Sequence, residues 1–363
     1  MKYPALQSFA DLVPHLHEFD TIIDTRSEAE FAEDHLPGAI NCPVLNNEER
    51  IRVGTLYKQV NAFEAKKVGA ALVARNIAQH IETLWLAQPR EWRPLVYCWR
   101  GGNRSGAMAH ILAKIGWPAV QLEGGYKAFR QHVHTHLETL PQNFSWRVLC
   151  GPTGSGKSRL LQALAQEGEQ VLDLEQLAAH RGSVLGSMPD HPQPSQKWFE
   201  SHVWHTLSGF DAAKPVWVEA ESKKVGNLRV PESLMTSMRN AQCVNLALPQ
   251  ALRVQWLSQE YRHLAQNAAE LVTRLGYLTQ LHGRETIHHW QELTLQQEIA
   301  TLVEELLQQH YDPAYQRSVG RNFVHFGAAR PLPLQGIAEA DWQQAARHLL
   351  AEAKSESESE SAP

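Results

Sequence analysis

Cysteine is scarce. There are four (Cys42, Cys98, Cys150, Cys243), widely spaced, with no Cys-x-x-Cys pair. That spacing argues against a disulfide framework and a clustered Cys/His zinc site, and it fits free thiols in a reducing cytosol. No uninterrupted apolar stretch is long enough to span a bilayer, and the start of the chain, carrying Pro4, Asp11 and Pro14, lacks the apolar core of a signal peptide. These absences predict a cytoplasmic chain with no membrane association. A basic excess is also missing. Lys+Arg number 34 against 39 Asp+Glu, a net charge of -5, so no global field advertises nucleic acid, although local basic surfaces remain open. Part of that balance lies in the alternating Ser/Glu run at 355–361, which reads as a solvated, unstructured tail.

What is present is a soluble composition, 43% apolar and 20% charged, spread over 363 residues, too many for one ordinary core. Two or more domains follow. In the first third, strand-like runs alternate with helical patterns. Thr21-Ile22-Ile23-Asp24 is a short strand ending in an acid, and Ser27 with Glu30 forms a capping box for the helix after it. His35-Leu36-Pro37-Gly38 is a turn before another strand, and 46–58 is an ordered surface excursion. Val68, Leu72, Ile77, Ile81 and Leu84 share one helix face. Strands at Leu95 and Val120 complete an alternation that predicts a parallel α/β sheet, whose ligands sit beyond the carboxyl ends of the strands.

At such an end stands Cys98-Trp99-Arg100-Gly101-Gly102-Asn103-Arg104-Ser105, between a buried strand and a helical pattern. Backbone N–H groups of such a loop can wrap an anion, the helix dipole adds field, and Arg100 and Arg104 add charge that favours a thiolate. Cys98 is therefore the candidate nucleophile, with Arg100, Gly101, Gly102 and Arg104 as its anion cup. A small buried cysteine at a strand end is the bland alternative, against which the two arginines and two glycines weigh.

A second loop, Gly151-Pro152-Thr153-Gly154-Ser155-Gly156-Lys157-Ser158, matches Gly-x4-Gly-Lys-Ser between a strand and a helix. Gly151, Gly154, Ser155 and Gly156 shape a phosphate-holding backbone, Lys157 neutralises the phosphate, and Ser158 can hold Mg2+. The motif identifies a polyphosphate and not its organic part. Further strands are expected at 170–175 and 214–222. Glu219 or Glu221 is a candidate metal-orienting acid, since alternation turns only one parity toward the loop; a polar strand terminus is the equal alternative, and no metal site is firm. His180, Arg181, Ser183, Gln196 and Lys197 lie in a polar, Pro-broken stretch and are candidate substrate contacts. From 251 on helical periodicity dominates, and Arg253, Arg262, Arg274, Arg284, His282, His288 and His289 read either as a solvated face or as an RNA-facing groove. The division expected is 1–138, a linker at 139–145, 146–250, a helical region at 251–320, a C-terminal segment at 321–350 and the tail at 351–363.

Asp24-Thr25-Arg26-Ser27 with Glu30-Phe31, His35-Leu36-Pro37-Gly38-Ala39-Ile40-Asn41 and the Cys98 loop resemble a rhodanese domain. Arg104 stands six residues after Cys98, where single-domain sulfurtransferases place their closing Arg five after. This resembles the Cys-x5-Arg loop of the phosphatase branch, a bowl wide enough for a phosphorus-centred anion. Against a phosphatase, Tyr97 stands where that branch usually has His, and no general acid follows in the loop. Joined to the P-loop, to Val53-Gly54-Thr55-Leu56-Tyr57-Lys58-Gln59, to His180-Arg181-Gly182-Ser183 and to Gln193-Pro194-Ser195-Gln196-Lys197, the chain resembles the bacterial tRNA 2-selenouridine synthases over nearly all but its tail.

That resemblance implies an α/β fold: an N-terminal rhodanese-like parallel-sheet domain, then a P-loop NTPase-like α/β domain with a helical C-terminal region. It implies a transferase that replaces the sulfur of 2-thiouridine at the tRNA wobble position by selenium. Selenophosphate would be the donor, and S-geranylation from geranyl diphosphate the intermediate step. It implies no tightly bound cofactor, a role open to Mg2+, and as partners the tRNA anticodon loop and the enzyme that makes selenophosphate. The residues leave three alternatives: a phosphatase or a sulfurtransferase domain fused to a nucleotide-binding P-loop domain, or a non-catalytic binding module. The two pockets are expected to open onto one groove.

Overall fold

Short strands, most buried toward the middle of each sheet, alternate with helices and build two parallel sheets, and the chain is α/β. The computed structural model describes residues 3–182, 186, 192–260, 262 and 267–360, with side chains as far as 352. It divides into two compact units, Met1–Leu137 with Pro194–His205, and Glu138–Gln193 with Thr206–Pro363. The division expected from the sequence differs here, since it assigns 194–205 to the second domain. Among the described residues no helix is long and apolar enough to cross a membrane.

In the first unit β1 (Ala5–Gln7), β2 (Thr21–Asp24), β3 (Ala39–Asn41), β4 (Pro94–Tyr97) and β5 (Val120–Leu122) lie in the order β1-β5-β4-β2-β3. Every pairing is parallel, with Asp24 opposite Tyr97. All of β4 is buried, which is why it reads as an unbroken apolar run. Its core joins Ile23, Val96, Met108, Leu112, Trp85, Trp92 and Trp117. The expected capping box is formed, with Ser27 N–H donating to Glu30 at 3.2 Å. The surface excursion is a helix, Asn47–Gln59, paired with the longer helix Ala62–His80.

Segment 194–205 joins this unit through Arg130. Its guanidinium donates to Glu200 at 2.6 Å, to Ser201 Oγ at 3.0 Å and to the Lys197 carbonyl at 3.2 Å. Ser201 and Tyr126 both donate to Asp34, at 3.0 and 2.8 Å. Burial pushes the Asp34 carboxyl upward against these partners.

In the second unit β6 (Trp146–Cys150), β7 (Gln170–Leu172), β8 (Val216–Glu219), the two-stranded hairpin β9 (Lys224–Val225) and β10 (Leu228–Arg229), β11 (Gln242–Ala247) and β12 (Arg330–Pro333) are the strands. The main sheet runs β12-β11-β6-β8-β7, parallel throughout, with β6 central. No strand is expected at β12 from the sequence. Pro331 and Pro333 disguise it, yet as the edge strand it pairs on one side only, where proline is tolerated. The helix Glu339–Glu360 then packs Trp342, Ala346 and Leu349 against Leu160, Leu161 and Leu164 of the P-loop helix, Lys157–Gln166. This helix runs through the Ser/Glu tail as far as Glu360, in place of the unstructured tail expected. A separate helical core gathers Leu271, Leu275, Ile287, Trp290 and Leu302.

Candidate functional site

Cys98 stands at the end of β4, almost wholly buried, with its Sγ accepting a hydrogen bond from Ser105 Oγ at 3.2 Å. The loop after it is bent over the first turn of the helix Gly125–Leu137. Tyr126 N–H donates to the Cys98 carbonyl at 2.8 Å and Lys127 N–H to the Trp99 carbonyl at 3.0 Å. Two glycines permit this approach. A β-carbon on Gly125 (φ 58°) would lie 2.2 Å from the Cys98 oxygen, and one on Gly101 (φ 65°) would lie 2.5 Å from the Leu122 oxygen. Gln121 Nε2 ties the far side, donating to the Gly101 carbonyl at 2.7 Å and to Ser105 Oγ at 3.1 Å.

Gly102 then opens the helix Asn103–Ile115 with no side-chain cap, so its first N–H groups are left for a ligand. Arg100 is exposed. Arg104 donates to Glu30 at 2.9 Å, and Arg50 reaches the same carboxylate at 3.0 Å. Burial raises the Glu30 carboxyl, but Arg104, Arg50 and the Ser27 N–H outweigh it and hold it below the usual range. The closing arginine is thus held by an acid from the helix Glu28–Glu33, a partner its spacing from Cys98 could not announce.

In the second unit the P-loop leaves β6 at Cys150. Positive φ at Gly154 (79°) and Gly156 (85°) shapes it, and β-carbons there would lie 2.7 Å from Leu257 and 2.2 Å from Trp342. Lys157 Nζ donates to the Gly151 carbonyl at 2.9 Å, and Gly151 N–H donates to Tyr315 Oη at 2.7 Å. Arg253 grips the loop from outside. It donates to the Thr153 carbonyl at 2.7 and 2.9 Å and pairs with Asp312 at 2.6 Å. Ser155 Oγ is buried without a protein partner.

Ser158 Oγ donates to Glu175 at 3.0 Å and to Glu219 at 3.1 Å. Glu175, Glu219 and Glu221 bring carboxylate oxygens within 4.8 Å of one another. The expectation that only one of Glu219 and Glu221 faces the loop is corrected: the two stand two residues apart, a spacing that turns both to one face of an extended chain, and both carboxylates join the cluster. Glu175 is the acid that sequence reasoning misses. It reads as the end of a strand, but β7 stops at Leu172 and Asp173 caps a short helix, Leu174–Leu177, that carries it.

Burial, then the charges of Glu175, Glu221 and Asp173, push Glu219 well up despite Lys157. Burial and Glu175 push Glu221 up to about 8. Glu219 Oε1 is fully buried with no partner. An orphaned carboxylate oxygen among hard oxygen donors fits a magnesium ion.

The remaining candidates separate. His180 Nδ1 accepts from Gly182 N–H at 3.1 Å, and burial with the Arg274 charge lowers its pKa. This turn rests Gly182 on the acids: a β-carbon there would lie 2.8 Å from Glu175 and 2.9 Å from Glu221. Arg181 pairs with Glu260 at 2.9 Å, as does Arg159 at 3.0 Å. Ser183 lies outside the described residues. Gln196 and Lys197 belong to the first unit, where Lys197 pairs with Glu33 at 2.7 Å. Of the helical-region charges, His289 pairs with Glu305 at 3.0 Å and His288 with Glu292 at 3.3 Å, as on a solvated face, whereas Arg274, paired with Glu270, is half-buried and its charge reaches His180.

Residues 144–286 match the family model of the tRNA 2-selenouridine synthase AAA domain, and residues 8–132 match that of the rhodanese-like domain. A tRNA 2-selenouridine synthase of Nitrosomonas europaea is 38% identical over 244 residues, covering 66% of this chain and 63% of that relative. One of Nitrosomonas eutropha is 36% identical over 269 residues, covering 72% and 68%. One of Cronobacter sakazakii is 34% identical over 335 residues, covering 86% and 83%.

Proposed function

The chain belongs to the tRNA 2-selenouridine synthases, and from that premise we propose that it exchanges the sulfur of wobble 2-thiouridine in tRNA for selenium, using both loops. The observation that carries this reading is the pairing, on one chain, of a buried thiol beneath an uncapped helix N-terminus with a Gly-x4-Gly-Lys-Ser loop.

The P-loop takes geranyl diphosphate. The thiocarbonyl sulfur attacks C1 of the prenyl chain, the C–O bond breaks, diphosphate leaves with the electron pair, and the N3 proton is lost to solvent. Lys157 and the loop N–H groups meet the charge that develops on the leaving group. A magnesium ion, when bound, supplies further positive charge there; Ser158 and the carboxylates of Glu175, Glu219 and Glu221 would hold it. The alkylated sulfur now departs as a thiol, a far better leaving group than a thiocarbonyl.

The Cys98 loop takes selenophosphate, with the helix N-terminus, Arg100 and Arg104 around its phosphate. Cys98 Sγ attacks phosphorus, and the Se–P bonding pair passes to selenium. Selenium, as hydrogen selenide anion, adds to C2 of the pyrimidine; geranyl thiolate leaves and takes a proton from solvent, and the proton on selenium passes to N3 to give 2-selenouridine. Water then cleaves the S–P bond, releasing phosphate and restoring Cys98. Both pockets must serve one anticodon loop.

The test is turnover by the purified chain. With 2-thiouridine tRNA, geranyl diphosphate and selenophosphate, mass spectrometry of nucleosides should show the S-geranyl species and then 2-selenouridine. Brisk tRNA-stimulated ATP hydrolysis with no change at the wobble nucleoside would overturn the reading.

A further inference from the structure

We propose that the helical hairpin of Asn47–Gln59 and Ala62–His80 is the docking surface for unpaired nucleotides of the tRNA, an inference that rests on the RNA substrate assigned above. The helix Asn47–Gln59 buries no residue. Its half-buried positions are Glu49, Val53 and Leu56, one stripe spaced four and three apart. That stripe meets the second helix, where Val53 Cγ1 stands 3.4 Å from the place a Gly69 β-carbon would take.

The rest of the helix is open, and it is not uniformly polar. Ile51, Tyr57, Val60 and Phe63 are 59 to 68% exposed, a concentration of large apolar side chains along one hairpin. Interleaved with them stand Arg52, Lys58 and Lys66, while Arg50 pairs with Glu30 at 3.0 Å and Lys67 with Glu64 at 2.7 Å, and Glu48 and Glu49 lie at the start of the first helix. Lys67 Nζ lies 5.2 Å from the centre of the Phe63 ring.

Rings for stacking, with cations beside them for phosphates, are what single-stranded RNA requires and what an ordinary solvated helix has no use for. A second copy of the chain is the poorer occupant, because a two-fold contact would set this positive face against itself. Val53-Gly54-Thr55-Leu56-Tyr57-Lys58-Gln59, to which the chemistry at the two loops gives no task, lies on this helix.

The experiment is tRNA binding by the full chain, followed by fluorescence anisotropy across a salt series. The double variant Tyr57→Ala, Phe63→Ala should raise Kd at least about tenfold for want of stacking, while Tyr57→Phe keeps wild-type affinity. Lys58→Gln with Lys66→Gln should flatten the plot of log K against log salt by about 0.7 for each phosphate left without its cation. Neither variant should change binding of geranyl diphosphate. Wild-type affinity and slope in all variants would overturn the surface, as would a changed oligomeric state with tRNA affinity intact. If the wild-type chain bound no tRNA, the substrate reading would fall and this surface with it.

Discussion

Burial first, and then neighbouring carboxylates, make charge costly on Glu175, Glu219 and Glu221, which crowd together. Their folded-state pKa values lie above the ordinary value of 4.5, and Glu221 reaches about 8. The stability these groups contribute is therefore full below about pH 4.5 and is lost as pH rises through the folded values toward 8. A melting series across that window should fall with pH, and Glu221→Gln should flatten it. A divalent cation should raise the melting temperature of the wild-type chain more than that of Glu175→Gln. At Gly156 an added β-carbon meets Trp342 at 2.2 Å and must accept φ 85°. Gly156→Ala should cost about 2–4 kcal/mol in chemical denaturation, strain and overpacking together.

Between elements, the P-loop is held by groups far along the chain. Arg253 reaches the Thr153 carbonyl across 100 residues, Tyr315 reaches Gly151 across 164, and Trp342 rests on Gly156. Arg253 is almost wholly buried and pairs bidentately with Asp312. Arg253→Ala leaves the half-buried Thr153 carbonyl and Asp312 without their donor, so unfolding should show a loss of about 1–3 kcal/mol. Arg253→Lys should not restore it, because an ammonium cannot span both partners. This distance explains what the sequence shows and what it hides. Cys98 to Ser105 and Gly151 to Ser158 are legible because strand, loop and helix follow one another within a few residues. Ser158 meets Glu219 because β8, far along the chain, pairs with β6, and no local pattern encodes that order. Arg104 is legible as a cation, but its partner Glu30 comes from another helix, 74 residues away. The edge strand β12 is hidden by the prolines that its place at the edge tolerates.

At the scale of the whole molecule, two parallel sheets each carry a glycine-bearing loop at the carboxyl end of a central strand, β4 in one unit and β6 in the other. In the proposed function one half-reaction is assigned to each loop. The most direct measurement is therefore the wobble nucleoside left by each loop's variant, read by mass spectrometry after incubation with both donors. Lys157→Ala should leave 2-thiouridine unalkylated, and Cys98→Ala should accumulate the S-geranyl nucleoside with little 2-selenouridine. Full selenation by Cys98→Ala, or normal geranylation by Lys157→Ala, would contradict this division of labour between the two loops.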